Sequence, residues 1–217
     1  MGSVGLLYVG AVLFINGLML LGRISGKAAA PMNYFVGVMQ VVFPTLMILQ
    51  SNGDTAVVLG ASGLYLFGFT YLYVALNQTF NLDGEGLGWF SLFVAVVAIV
   101  MGYLNFTTVN DPVFGAIWLI WAVLWFMFFL LLGLRKDSLT RMTGWFTVIV
   151  AHLTGTIPAL FLLTGEYRSD AFWTWVMAIG GLLALVVSGL LGRQHDTATT
   201  DPHRPEPTPR RPGRAAV

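Results

Sequence analysis

No cysteine occurs among the 217 residues, which excludes disulfides, thiolate metal sites and thiol nucleophiles. Charge is nearly as scarce. Asp, Glu, Lys and Arg make up 10% of the chain, where soluble domains carry roughly 25%. A net formal charge of +1 gives no electrostatic case for binding nucleic acid. The first 22 residues have neither a basic n-region nor a small-residue cleavage site, so they read as a retained first span. What the chain does have is apolar length: 57% of its residues are hydrophobic and its mean hydropathy is +0.78, a membrane composition.

Apolar runs able to cross about 30 Å of hydrocarbon occur at roughly 4–22, 30–50, 56–76, 88–107, 113–134, 142–163 and 171–192. The connectors are short and none holds an inserted domain. Lys and Arg set the orientation. The first connector carries Arg23 and Lys27, the fifth Arg135, Lys136 and Arg141, and the segment after the last span Arg193, Arg204, Arg210, Arg211 and Arg214. Arg168 alone falls on the other side. The N-terminus is therefore expected outside and the C-terminus in the cytoplasm. Residues 193–217, with five prolines among polar and basic groups, are expected to be a disordered cytoplasmic tail.

Within those span boundaries no Asp, Glu, Lys or Arg occurs, and His152 is the one histidine at depth. Ion-coupled transporters, retinal proteins and voltage sensors need intramembrane charge, and intramembrane hydrolases need carboxylate pairs or metal-binding histidines. No glycine-rich phosphate loop or metal-spaced cluster is present. The expectation is a protein without enzyme activity, cofactor or metal: a passive path for a neutral solute, or a membrane interaction or sensory protein with no transport role.

A repeated pattern favours the path. In the charge-free run 112–134, Trp118, Trp121 and Trp125 share one helical face at about 100° per residue, with Phe114 a turn above. Indoles near mid-membrane need partners for their N–H groups, which a polar conduit would supply. Ordinary packing against a neighbouring helix explains the same stripe. In the first span Gly2, Leu6, Val9 and Leu13 share a face that Asn16 continues, and in the third Phe67, Tyr71, Val74 and Gln78 do. Counting about 1.5 Å per residue from each outer boundary puts Leu13, Phe67 and Trp121 at similar depths, roughly 12–17 Å. A ring of such groups would make a narrow slot that offers nothing to replace an ion's water. A flat amide could lie between the aromatic faces and meet Tyr71 O–H or an indole N–H.

Several segments then carry a family resemblance. Leu6-Leu7-Tyr8-Val9-Gly10-Ala11-Val12-Leu13-Phe14-Ile15-Asn16-Gly17, Met32-Asn33-Tyr34-Phe35-Val36-Gly37, Leu66-Phe67-Gly68-Phe69-Thr70-Tyr71-Leu72-Tyr73, Ile117–Trp125 and Ile157-Pro158-Ala159 occur in order. Together they resemble the AmiS/UreI family of bacterial urea and short-chain amide channels. The resemblance implies an all-α integral membrane protein: a six-helix channel core over 1–165, joined here by an additional seventh transmembrane helix over 166–192. It implies a homo-hexamer in the bacterial inner membrane with a pore in each protomer. The matching lining residues are Leu6, Val9, Leu13, Phe67, Tyr71, Trp118, Trp121, Leu124 and Trp125. It further implies urea or short aliphatic amides such as acetamide as solute, and a functional link to a cytoplasmic urease or amidase.

This chain departs from the acid-gated members in two respects. Its first outer loop, Ser51–Thr55, is short and has no histidine, and the acidic positions tied to gating align with Asn110 and Val150. The seventh span is extra, and Gly180, Gly181 and Gly189 would let it pack closely on the bundle. The pore is thus expected not to be acid-gated. His152, grouped with Trp145 and Thr156 on a partly polar stripe, reads either as a neutral histidine hydrogen-bonded inside the bundle or as a pore or gating residue.

Overall fold

A computed structural model describes residues 2–199, with side chains from Gly2 to Arg193. Among the described residues there are seven membrane-length helices and no strand. They are α1 (Gly2–Leu20), α2 (Gly26–Gln50), α3 (Thr55–Phe80), α4 (Glu85–Val109), α5 (Pro112–Gly133), α6 (Asp137–Thr164) and α7 (Ala171–Thr199). The seven expected spans are present, with ends displaced by a few residues. α3 runs to Phe80 rather than 76, and α4 begins at Glu85 rather than 88. Hydropathy marks where hydrocarbon ends, whereas capping chemistry marks where the helix ends. Asp54 starts α3 by accepting from Ala56 N at 2.8 Å, and Asp111 starts α5 by accepting from Phe114 N at 3.0 Å. Asn81 (φ 53°) closes α3 and Asn110 (φ 57°) closes α4, each in the left-handed conformation that asparagine tolerates. Asn110 therefore has a structural part as a helix stop.

α1 packs against α6, α2 against α3 and α4 against α5, and the three pairs surround a central space. α7 lies outside, on α6 and α5. The α1/α6 contact depends on glycine. A Cβ on Gly10 would stand 2.8 Å from Thr156 N, and one on Gly155 would stand 2.8 Å from Gly10 Cα. No side chain fits between these backbones, the small-residue contact that lets helices approach within a membrane. Of the glycines expected to seat α7, Gly181 meets Ile120 of α5 and Gly180 meets Leu153 of α6, while Gly189 has only Met142 Cε at 3.8 Å.

Three π turns interrupt the helices, at Asn105–Val109, Phe129–Gly133 and Ala151–Thr156. The last sits mid-span in α6 and includes His152, whose expected interior placement the structure corrects. That side chain is exposed on the outside of the bundle, its ring centroid 5.3 Å from that of Phe14, while Ala151 and Thr154 beside it are buried. A π turn hydrogen-bonds i to i+5 and so rotates the following residues out of the α-helical phase. The stripe through Trp145, His152 and Thr156 lies off the interior face of α6: none of the three is buried, whereas Thr143, Thr147, Val150 and Thr154 are. Val150, at the start of this turn, is fully buried.

The expected tail began at Arg193. The α7 helix continues to Thr199, and the remainder, 200–217, lies outside the described residues.

Candidate functional site

Two chambers lie along the axis between the helix pairs. The first, of about 790 Å³, is lined at its mouth by Gly2, Thr55 and Val109 and deeper by Leu6, Val9 and Trp118. The second, of about 100 Å³, is bounded by Leu13, Tyr71, Leu124 and Trp125 and reaches Leu20, Gln78 and Leu132 at the opposite end. Phe67 and Trp121 belong to both. The chambers therefore adjoin across these two rings, whose centroids are 4.7 Å apart in an edge-to-face arrangement. Trp125 and Trp118 complete the cluster, 4.8 and 5.8 Å from Phe67. Each residue expected to line a path borders one chamber or both. Phe67 is 2% exposed and Trp121 3% exposed, so the partition between the chambers is packed as tightly as a core.

The polar groups fall on either side of this partition. Trp121 donates its indole N–H to Thr154 Oγ1 at 2.9 Å, and Thr154 in turn donates to Val150 O at 2.7 Å. The expectation that a conduit would satisfy this indole is corrected for Trp121: α6 supplies the acceptor. Tyr71 O–H, by contrast, is buried without a partner at the second chamber. Asn16, which also lines that chamber, forms a reciprocal amide pair with Asn33 at 2.9 and 2.7 Å. Sequence reasoning missed Thr154 and Asn33. Thr154 meets Trp121 across 33 residues, and Asn33, inside the Met32–Gly37 segment, meets Asn16 across 17, so nothing local announces either pairing.

Near the mouth of the first chamber, Asp111 gathers the loops. Its Oδ1 accepts from Phe114 N, from Tyr167 O–H at 2.7 Å and from Ser169 O–H at 2.6 Å, while Val113 N donates to Ser169 Oγ at 3.2 Å. Burial, and then the hydrogen bond and charge of Asp111, push the Tyr167 phenol above its ordinary range, against a smaller opposing effect of Ser169. The α6–α7 linker is thereby tied to the start of α5, whose Phe114 lines the first chamber.

Seven membrane-length helices and two axial chambers meeting at one aromatic partition define the class, a polytopic helical membrane transporter. A family model described as "AmiS/UreI family transporter" matches residues 1–166, ending before α7. The chain belongs to that family. It is 52% identical over 209 residues to a protein of Rhodococcus erythropolis named as transporter protein AmiS2, covering 96% of this chain and 98% of that one. It is 37% identical over 185 residues to the acid-activated urea channel of Helicobacter pylori, covering 72% of this chain and 94% of that one. The crystal structure of the Helicobacter pylori urea channel superposes with a TM-score of 0.70 at 35% identity, covering 77% of this chain and all of that one.

Proposed function

We infer that the protein is a passive channel for urea and short aliphatic amides such as acetamide. The observation that carries this reading is the pair of chambers separated only by Phe67 and Trp121. Apolar rings at the narrowest level reject ions and hydronium, because nothing there replaces their hydration. A flat neutral amide passes edgewise between rings and recovers polar contacts at Tyr71. Nothing in the spans carries a charge that could couple solute movement to an ion gradient. The urea channel among the named relatives supports the same solute class.

Each chain encloses its own chambers, which fits a homo-hexamer with one path per protomer. We place it in a bacterial cytoplasmic membrane, the first chamber opening outside and α7 ending inside, on the asymmetry of Lys and Arg. A cytoplasmic urease or amidase would consume the entering solute. The pore is constitutive: the loop between α2 and α3 is short, and no outer connector holds a histidine.

The test is solute entry into proteoliposomes made with the full chain. Urea and acetamide should equilibrate faster than in protein-free vesicles, without accumulating and without responding to membrane potential. Vesicles no more permeable than protein-free ones would leave the interaction or sensory reading standing.

A further inference from the structure

Gln40 has no part in the reading above, yet it sits where a selecting group belongs. It projects from α2, is 1% exposed, and lines the first chamber beside Leu6, Val9, Phe67 and Trp121. Its Oε1 is buried with no hydrogen-bond partner, and among the described residues its N–H₂ meets no acceptor. A buried amide oxygen left without a donor is costly, and it calls for a ligand or water. Two glycines make room for it. The backbone oxygen of Gln40 lies 2.9 Å from where a Cβ on Gly68 would stand, and Oε1 lies 2.6 Å from where one on Gly5 would stand.

A carboxamide presents an acceptor and a donor side by side. A primary amide or urea presents the complementary edge, so the two close a ring of two hydrogen bonds. The molecule contains such a ring in its Asn16–Asn33 pair, at 2.9 and 2.7 Å. A secondary amide is held trans, with its N–H on the side opposite its carbonyl, and cannot close that ring.

We propose that Gln40 is a specificity-determining residue that pairs edge-to-edge with a primary amide or urea in the first chamber, immediately before the aromatic partition. The proposal rests on the channel reading and names the group that sets its selectivity. A solute entering the partition must shed water, and Gln40 supplies two replacement bonds at that point. Tyr71 O–H offers the next polar contact beyond it. Rotation of the Gln40 amide away from Gly5 presents both ends to the chamber.

The experiment compares acetamide with N-methylacetamide in stopped-flow measurements on proteoliposomes of the full chain. Gln40→Met, an unbranched replacement of similar volume, should lower acetamide permeability about tenfold, as expected for losing two ordinary hydrogen bonds. N-methylacetamide should change less than about twofold, because it never formed the ring. Gly5→Ala, whose Cβ would push Oε1 away from α1 and toward the chamber, should keep or raise the preference for acetamide; a preference lost as in Gln40→Met overturns the pairing orientation. An unchanged ratio in Gln40→Met, or an equal loss of both solutes, overturns the pairing role. Wild-type vesicles that pass neither solute would overturn the channel reading itself, and the proposal with it.

Discussion

Tyr71 and Trp121 are both buried aromatics at the partition, but their polar atoms are in opposite situations. The Tyr71 hydroxyl has no partner, whereas the Trp121 N–H is held by Thr154. Removing an unpartnered hydroxyl takes no hydrogen bond from the fold, so Tyr71→Phe should leave thermal stability nearly unchanged while slowing acetamide flux. A large drop in melting temperature would mean that the hydroxyl is bonded after all. Thr154→Val should do the reverse. It strands the Trp121 N–H inside the bundle, at a cost of about 1–3 kcal/mol, readable as a lowered unfolding midpoint in detergent. An unshifted midpoint would show that the Trp121–Thr154 bond does not hold the ring. The lining itself was legible because α5 is regular α-helix from Pro112 to Phe128, so a fixed angle per residue carries Trp118, Trp121 and Trp125 to one face. His152 and Thr154 were not legible, since polarity alone does not say which face of α6 turns inward: the buried face carries Thr143, Thr147 and Thr154, and His152 lies off it. Gln40 gave no signal either: a lone amide in an apolar run declares its importance only when its neighbours Gly5 and Gly68 are known.

Among the elements, the α1/α6 pair is the least forgiving contact. Gly10 and Gly155 meet with backbone against backbone, so a branched side chain at either must separate the helices. Gly10→Val should therefore give a poorly dispersed protein, while Gly2→Val, with nothing within 4 Å of its would-be Cβ, should keep the wild-type dispersity. Size-exclusion profiles of the two variants check this, and matching profiles would contradict the tight contact. The helix ends show why the sequence located spans better than boundaries. Apolar runs placed all seven helices, but α3 extends past its apolar stretch because Asn77 and Gln78 remain helical until Asn81 turns left-handed. The Asp111 clasp shows the same limit. Tyr167 and Ser169 lie 56 and 58 residues beyond Asp111, with α5 and α6 between, and no local pattern announces their meeting.

At the scale of the whole molecule, the proposed route for neutral solute is interrupted by the packed Phe67–Trp121 partition, and among the described residues no histidine lines either chamber. Histidine is absent from the outer connectors, His152 faces out of the bundle, and the Tyr167 phenol is held in its protonated, donating form through this range. Urea flux into proteoliposomes should accordingly stay nearly flat between external pH 5 and 8, and a several-fold change would reveal a gate that these residues do not provide. The central claim is that solute crosses through the two chambers and nowhere else. A chain without cysteine allows that to be tested one position at a time. Leu13→Cys places a thiol in the second chamber and Val123→Cys places one on the outer face of α5. After treatment with a small methanethiosulfonate, with labelling verified by mass, Leu13→Cys should lose acetamide flux and Val123→Cys should keep it. Full flux through a labelled Leu13→Cys, or a Leu13→Cys thiol that a water-borne reagent never reaches, would contradict the path.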